Sequence, residues 1–114
     1  MSGSASDAEL GKLWHREMVN IYQEAKEIGY NASRFIQMVN DAGALSAAKQ
    51  LINAGQASDG FTKLWELRRL DIAVEARALK PEFQPLFTQA ELTTCSRRLD
   101  DYKWTQQPPW QRPT

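Results

Sequence analysis

Cysteine and histidine are almost absent from this chain of 114 residues, which contains one of each, Cys95 and His15. A single cysteine excludes an intrachain disulfide, and the two residues together are too few for a zinc module. The sequence also lacks a glycine-rich phosphate loop, a Cys-x-x-Cys pair and a His-Glu-x-x-His motif. These are the usual marks of nucleotide, redox and metalloprotease sites. We therefore predict no catalytic residue, no metal and no cofactor, and we expect Cys95 to be a small buried apolar residue.

An excess of either charge is also missing, because 14 Lys and Arg residues balance 14 Asp and Glu residues. Without a basic field the whole chain has no general attraction for nucleic acid or an anionic membrane. No segment approaches the ~20 apolar residues of a membrane span, and residues 1–6 lack the basic and apolar regions of a signal peptide. The composition therefore predicts a cytoplasmic protein with no membrane partner.

The pattern that is present is helical. Apolar residues recur at three- and four-residue steps nearly throughout, and no stretch keeps the period-two alternation of a strand. This predicts an all-α fold, a compact bundle of five or six helices over residues 7–102, preceded by a flexible N-terminus at 1–6. The predicted helices cover about residues 7–28, 32–41, 44–53, 59–67, 71–79 and 89–102. Residues 103–114, with Pro108, Pro109 and two tryptophans, predict an extended C-terminal tail.

Several residues mark helix ends. Ser6-x-x-Glu9 and Thr88-x-x-Glu91 are capping boxes. Asn31 is a candidate N-cap of the second helix, and either Ser58 or Asp59 can cap the fourth. Gly29 and Gly43 are candidate stops. The largest apolar side chains at helical spacing predict one core, formed by Trp14, Phe35, Leu51, Phe61, Trp65, Leu70, Val74, Phe87 and Leu92.

The central run carries a motif, Gly-Phe-x-x-Leu-Trp-x-x-x-Arg-Leu-Asp-x-x-x-Glu-Ala, which begins at Gly60 and ends at Ala76. With Pro81-Glu82-Phe83 and Leu86-Phe87-Thr88 it resembles a family of small bacterial helical proteins loosely associated with mobile elements and restriction or defence genes. The resemblance covers about residues 28–101. It implies a small accessory or inhibitor protein that occludes a larger host complex. The family has glycine where this chain has Arg68, so either the helix runs on or Arg68 is strained.

Within the motif, Arg69, Asp71 and Glu75 predict a structural network. Two carboxylates four residues apart on a helix repel unless a cation lies between them, and Arg69 can supply that charge. A metal or acid–base pair is the weaker alternative, because no second cluster of ligands accompanies these residues. We also expect replacement of Arg69 to destabilise the fold more than replacement of Arg98.

Two functions stay open, and neither is enzymatic. The first is an adaptor or inhibitor that binds another protein through Trp104, Trp110, Arg68 and Arg77, because Trp and Arg are frequent interface anchors. The alternative is a local nucleic-acid surface formed by five basic residues, Arg68, Arg77, Lys80, Arg97 and Arg98. The tail itself has two interpretations. In the first it is mobile, or it packs on its own domain through Trp104. In the second it offers a Pro-Pro-Trp segment to a groove of a partner.

Overall fold

Six α-helices and no strand are found in residues 7–102, the part of the chain that the computed structural model describes. They are α1 (Asp7–Glu27), α2 (Ser33–Ala42), α3 (Ala44–Asn53), α4 (Asp59–Glu66), α5 (Val74–Ala78) and α6 (Gln89–Asp101). Short 3-10 turns at Leu70–Ile72 and Gln84–Leu86 precede α5 and α6. The all-α bundle of five or six helices is therefore confirmed. In the same range, no helix has the length and apolar character needed to cross a membrane.

Local capping determines where α4 and α6 begin. The Ser58 hydroxyl accepts a hydrogen bond from the Phe61 N–H at 3.1 Å. At α6 the Thr88 hydroxyl accepts from the Glu91 N–H at 3.1 Å, and the Thr88 N–H donates to Glu91 Oε1 at 2.8 Å. Both predicted caps are confirmed. The predicted cap by Asn31 is wrong, because α2 starts after Ala32 with no side-chain cap. The predicted box at Ser6 lies outside the described residues.

Two helices end in the same backbone motif with different residues. After α1, Gly29 has a φ of 92° and the Tyr30 N–H donates to the Ala25 carbonyl at 2.8 Å. After α4, Arg68 has a φ of 62° and the Arg69 N–H reaches back to the Leu64 carbonyl at 2.8 Å. Such a left-handed residue usually is glycine, since a Cβ is disfavoured there. Of the two expectations for Arg68, strain in a left-handed conformation is the one found.

The core is centred on Trp14, which is 0% exposed. Its indole N–H donates to the Ala44 carbonyl at 3.2 Å. The rings of Phe83 and Phe87 pack edge-on at centroid distances of 5.0 and 5.1 Å. Three alanines of α3 are also buried, Ala44, Ala47 and Ala48. Burial of one indole thus joins α1 to α3 and to the segment before α6.

The core prediction is wrong for Trp65, which is 46% exposed. Phe61, one turn earlier on the same helix, is 2% exposed. Because α4 is only eight residues long and lies at the edge of the bundle, its inward face is filled by Phe61 and Leu64. Trp65 packs edge-on against the ring of Tyr102 at 5.2 Å instead.

The predicted helix over 71–79 is also revised. Residues Leu70–Ile72 form a 3-10 turn, Ala73 is extended with a ψ of 149°, and α5 covers Val74–Ala78. Asp71 therefore does not cap α5, whose N-cap is Ala73. Four of the five residues of α5 are buried.

Candidate partner-binding pocket

An apolar pocket of about 250 Å³ opens where the first five helices meet. Its walls are mainly apolar side chains, among them Ile21, Phe35, Met38, Leu51, Phe61 and Val74. Capping by Ser58 sets the start of α4 and so directs Phe61 into the wall. Gly60 allows a close approach, because a Cβ at this position would lie 3.2 Å from Tyr30 Oη and the tyrosine would have to shift slightly. Helix-end chemistry therefore shapes one side of the pocket.

Two opposite charges stand at the pocket mouth. Arg34 on α2 and Asp59 on α4 both line the pocket and are exposed. Neither takes part in an ion pair among residues 7–102. The exposed part of the lining thus offers a cation from α2 and a carboxylate from α4, next to an apolar interior.

The inner wall contains Glu75, which is 3% exposed. Its Oε2 accepts a hydrogen bond from Arg98 Nη1 at 2.9 Å. Arg98 also donates to the Leu51 and Ala54 carbonyls, so its guanidinium joins α6 to α5 and to the end of α3. Burial raises the pKa of Glu75, although its own backbone N–H and Arg98 favour the ionised form. These hydrogen bonds connect the inner wall to α3 and α6.

This pairing corrects the predicted network of Arg69, Asp71 and Glu75. The part between Arg69 and Asp71 is right, with distances of 3.0 Å from Nε to Oδ1 and 3.2 Å from Nη2 to Oδ2. Glu75 is bonded to Arg98 instead, because the short α5 turns its carboxylate toward α6. The expected ranking of Arg69 above Arg98 must therefore be reversed, since Arg98 is 7% exposed and bonded to three groups.

Arg77, predicted as a binding residue, is 8% exposed and forms a second internal network. Its guanidinium donates to Glu17 at 3.1 Å, to both oxygens of Glu24 at 3.0 Å, and to the Asp71 carbonyl at 2.8 Å. Lys80 donates to the same Glu17 carboxylate at 2.8 Å. Burial opposes the charge of Arg77, but the two carboxylates outweigh it and raise its pKa. Arg77 joins α5 to α1, and its Nε, Nη1 and Nη2 atoms each donate to a group within the fold.

The five residues of the predicted nucleic-acid surface therefore do not form one patch. Arg77 and Arg98 are buried, and Lys80 is paired with Glu17. Arg68 and Arg97 are exposed. Trp104 and Trp110 lie outside the described residues. Among the predicted site residues that are described, Glu75 is the one that lines the pocket.

The lone cysteine and the lone histidine lie in opposite environments. Cys95 is fully buried, and burial raises its pKa to about 12, so the thiol is protonated at neutral pH. His15 is exposed on α1. Within the described range, no group of three or more His, Cys, Asp or Glu residues could hold a metal ion.

The pocket was missed by sequence reasoning. Helical spacing predicts core positions for four lining residues, Phe35, Leu51, Phe61 and Val74. Spacing does not show that their side chains leave a gap. The one local signal was Gly60, a glycine two residues after the Ser58 cap, which leaves room for the Tyr30 hydroxyl.

The chain matches no protein-family model, and it has no significant match among curated proteins or solved structures.

Proposed function

We propose that this chain is a non-enzymatic interaction module that binds another protein by taking one aromatic side chain of that protein into the apolar pocket. The pocket itself is the observation that supports the proposal. A cavity of about 150 Å³ binds benzene, and pockets for drug-sized molecules usually exceed about 300 Å³. A volume of about 250 Å³ suits a single phenyl or indole group. Aromatic anchors in such pockets supply much of the affinity of protein complexes.

The charges at the mouth define the partner further. Arg34 and Asp59 stand exposed beside the opening and form no ion pair within residues 7–102. A partner segment that carries an acidic residue on one side of its aromatic anchor and a basic residue on the other complements both. Charge complementarity of this kind favours correct orientation and faster association.

The family resemblance supports a phage or defence setting for this partner. In that setting the module acts in the cytoplasm as an adaptor or inhibitor, and occupation of the pocket holds it on a larger complex. Burial of Arg77 and Arg98 weakens the nucleic-acid alternative, because it removes two cations from the surface that this alternative requires.

Indole is the simplest probe of the pocket. In a titration of the full chain followed by ¹H–¹⁵N NMR, we expect indole to shift the backbone amides of Phe35, Met38 and Gly60. Met38→Trp should remove these shifts by filling the pocket. Leu92→Trp is the matched control, since Leu92 is also half-buried but does not line the pocket. Indole shifts that spread over the surface, or that survive in Met38→Trp, would contradict the proposal.

Partner capture uses the same pair of variants. Proteins retained from lysate by the wild type and by Leu92→Trp, but lost with Met38→Trp, are pocket-dependent. Retention of every captured protein by Met38→Trp would show that the pocket is not the binding site.

A further inference from the structure

The C-terminal residues 103–114, which lie outside the described range, contain the chemistry that the apolar pocket is suited to bind. Trp110 supplies an aromatic anchor, and Arg112 follows it by two residues. We propose that this tail segment binds in the pocket of its own chain, with Trp110 inside the pocket and Arg112 beside Asp59. The inference rests on the proposed function, because the tail and the partner protein would compete for one site.

The point at which the tail leaves α6 supports this assignment. The Tyr102 ring packs against the Phe61 ring at a centroid distance of 4.9 Å, and its hydroxyl lies 3.5 Å from Thr62 Oγ1. Phe61 forms part of the pocket wall. Tyr102, the last described residue before the tail, therefore contacts a residue of the pocket wall.

The length of the tail is sufficient. Trp110 follows Tyr102 by eight residues, and a chain covers at most ~3.5 Å per residue, about 28 Å in all. The two shorter dimensions of the molecule are 30 and 27 Å. Trp104 is only two residues beyond Tyr102, so the same estimate gives it a reach of about 7 Å. Trp110 is therefore the anchor that can reach over the mouth.

The short connection also makes a weak contact effective. A ligand on a short tether has an effective concentration in the millimolar range, so a contact that is weak between separate molecules can be well populated within one chain. Pro108 and Pro109 stand directly before Trp110 and reduce the number of conformations lost on binding. A partner must then displace the tail, which makes the tail an internal competitor.

The test compares full-length variants. In Trp110→Ala we expect the amides of Phe35, Met38 and Gly60 to shift relative to the wild type, independently of protein concentration. The apparent affinity for indole should rise about tenfold if the tail occupies the pocket about nine-tenths of the time. Gln106→Ala, a substitution in the same segment, should change neither quantity.

Charge reversal tests the second contact. Arg112→Glu should release the tail partly and raise the indole affinity by a smaller factor. Adding Asp59→Lys to Arg112→Glu should restore the wild-type amide positions, which a purely structural effect would not do. Failure of this rescue would overturn the assigned contact between Arg112 and Asp59.

The outcomes separate the two proposals. If Trp110→Ala leaves the pocket amides and the indole affinity unchanged while indole still binds the pocket, the tail proposal is overturned and the proposed function stands. If indole fails to bind the pocket in Trp110→Ala, the proposed function fails as well. If the effect of Trp110 disappears on dilution, a second copy of the chain supplies the tail, and the intrachain proposal is overturned.

Discussion

Helices α4 and α5 follow each other in the chain, yet α4 exposes a large aromatic side chain while α5 buries two charged ones. α4 leaves Trp65 46% exposed, whereas α5 holds Glu75 and Arg77 at 3% and 8% exposure. Both charges of α5 have bonded partners, Arg98 for Glu75 and two carboxylates with one carbonyl for Arg77. Position in the bundle and hydrogen-bond partners therefore decide burial here more than residue type does.

The largest effect should follow from breaking the Arg98 contacts. Arg98→Ala leaves the Glu75 carboxylate buried without its cation and two carbonyls without donors. Removal of one partner of a buried ion pair costs about 3 to 5 kcal/mol. Chemical denaturation should show this loss, while the exposed neighbour Arg97→Ala changes the free energy of unfolding by less than about 0.5 kcal/mol. Similar values for the two variants would refute the buried-pair description.

Glu91, at the start of α6, is another buried charged residue, and its contribution to stability should depend on pH. Burial opposes its ionisation, but hydrogen bonds from Lys49, Thr88 and Asn53 outweigh that and lower its pKa from 4.5 to about 2. A depressed pKa means that the stabilisation is complete above pH 4.5 and is lost as the pH falls toward 2.

Glu91→Gln should therefore lower the free energy of unfolding by about 2 kcal/mol at neutral pH, and the difference from wild type should shrink in acid. Urea titrations across this pH range measure it. Glu82→Gln, at an exposed position, is the control. A difference that stays constant with pH would show that the Glu91 charge is not the cause.

The smallest expected effect concerns Trp65, the exposed aromatic residue of α4. Trp65→Ala should cost about 1 kcal/mol, because the side chain is nearly half exposed and loses mainly its edge contact with Tyr102. Phe61→Ala on the same helix should cost about 3 to 5 kcal/mol. Equal losses in thermal unfolding would mean that Trp65 is a core residue after all.

Features determined by neighbouring residues could be predicted from the sequence. Ser58 and Thr88 begin helices, and Gly29 and Gly43 end them, because capping and a left-handed turn depend on a few adjacent residues. The all-α class followed from apolar spacing in the same way.

Features that depend on residues far apart in the chain could not be predicted from the sequence. Glu75 and Arg98 are separated by 23 positions, and Arg77 and Glu17 by 60. Local charge spacing favoured Arg69 as the partner of Glu75, and nothing in the sequence shows which helix α5 will face. The pocket is a gap between side chains from five helices, so it too exists only after the helices have packed.

Burial of the chain's lone sulfhydryl has a practical consequence. Cys95 is 0% exposed and burial raises its pKa to about 12, so we expect alkylating reagents to react with it slowly in the folded molecule. Alkylation then reports the openings of the fold that expose Cys95. The sequence contains no second thiol that would react as well. The alkylation rate, followed by mass spectrometry, therefore measures how often the fold opens at Cys95.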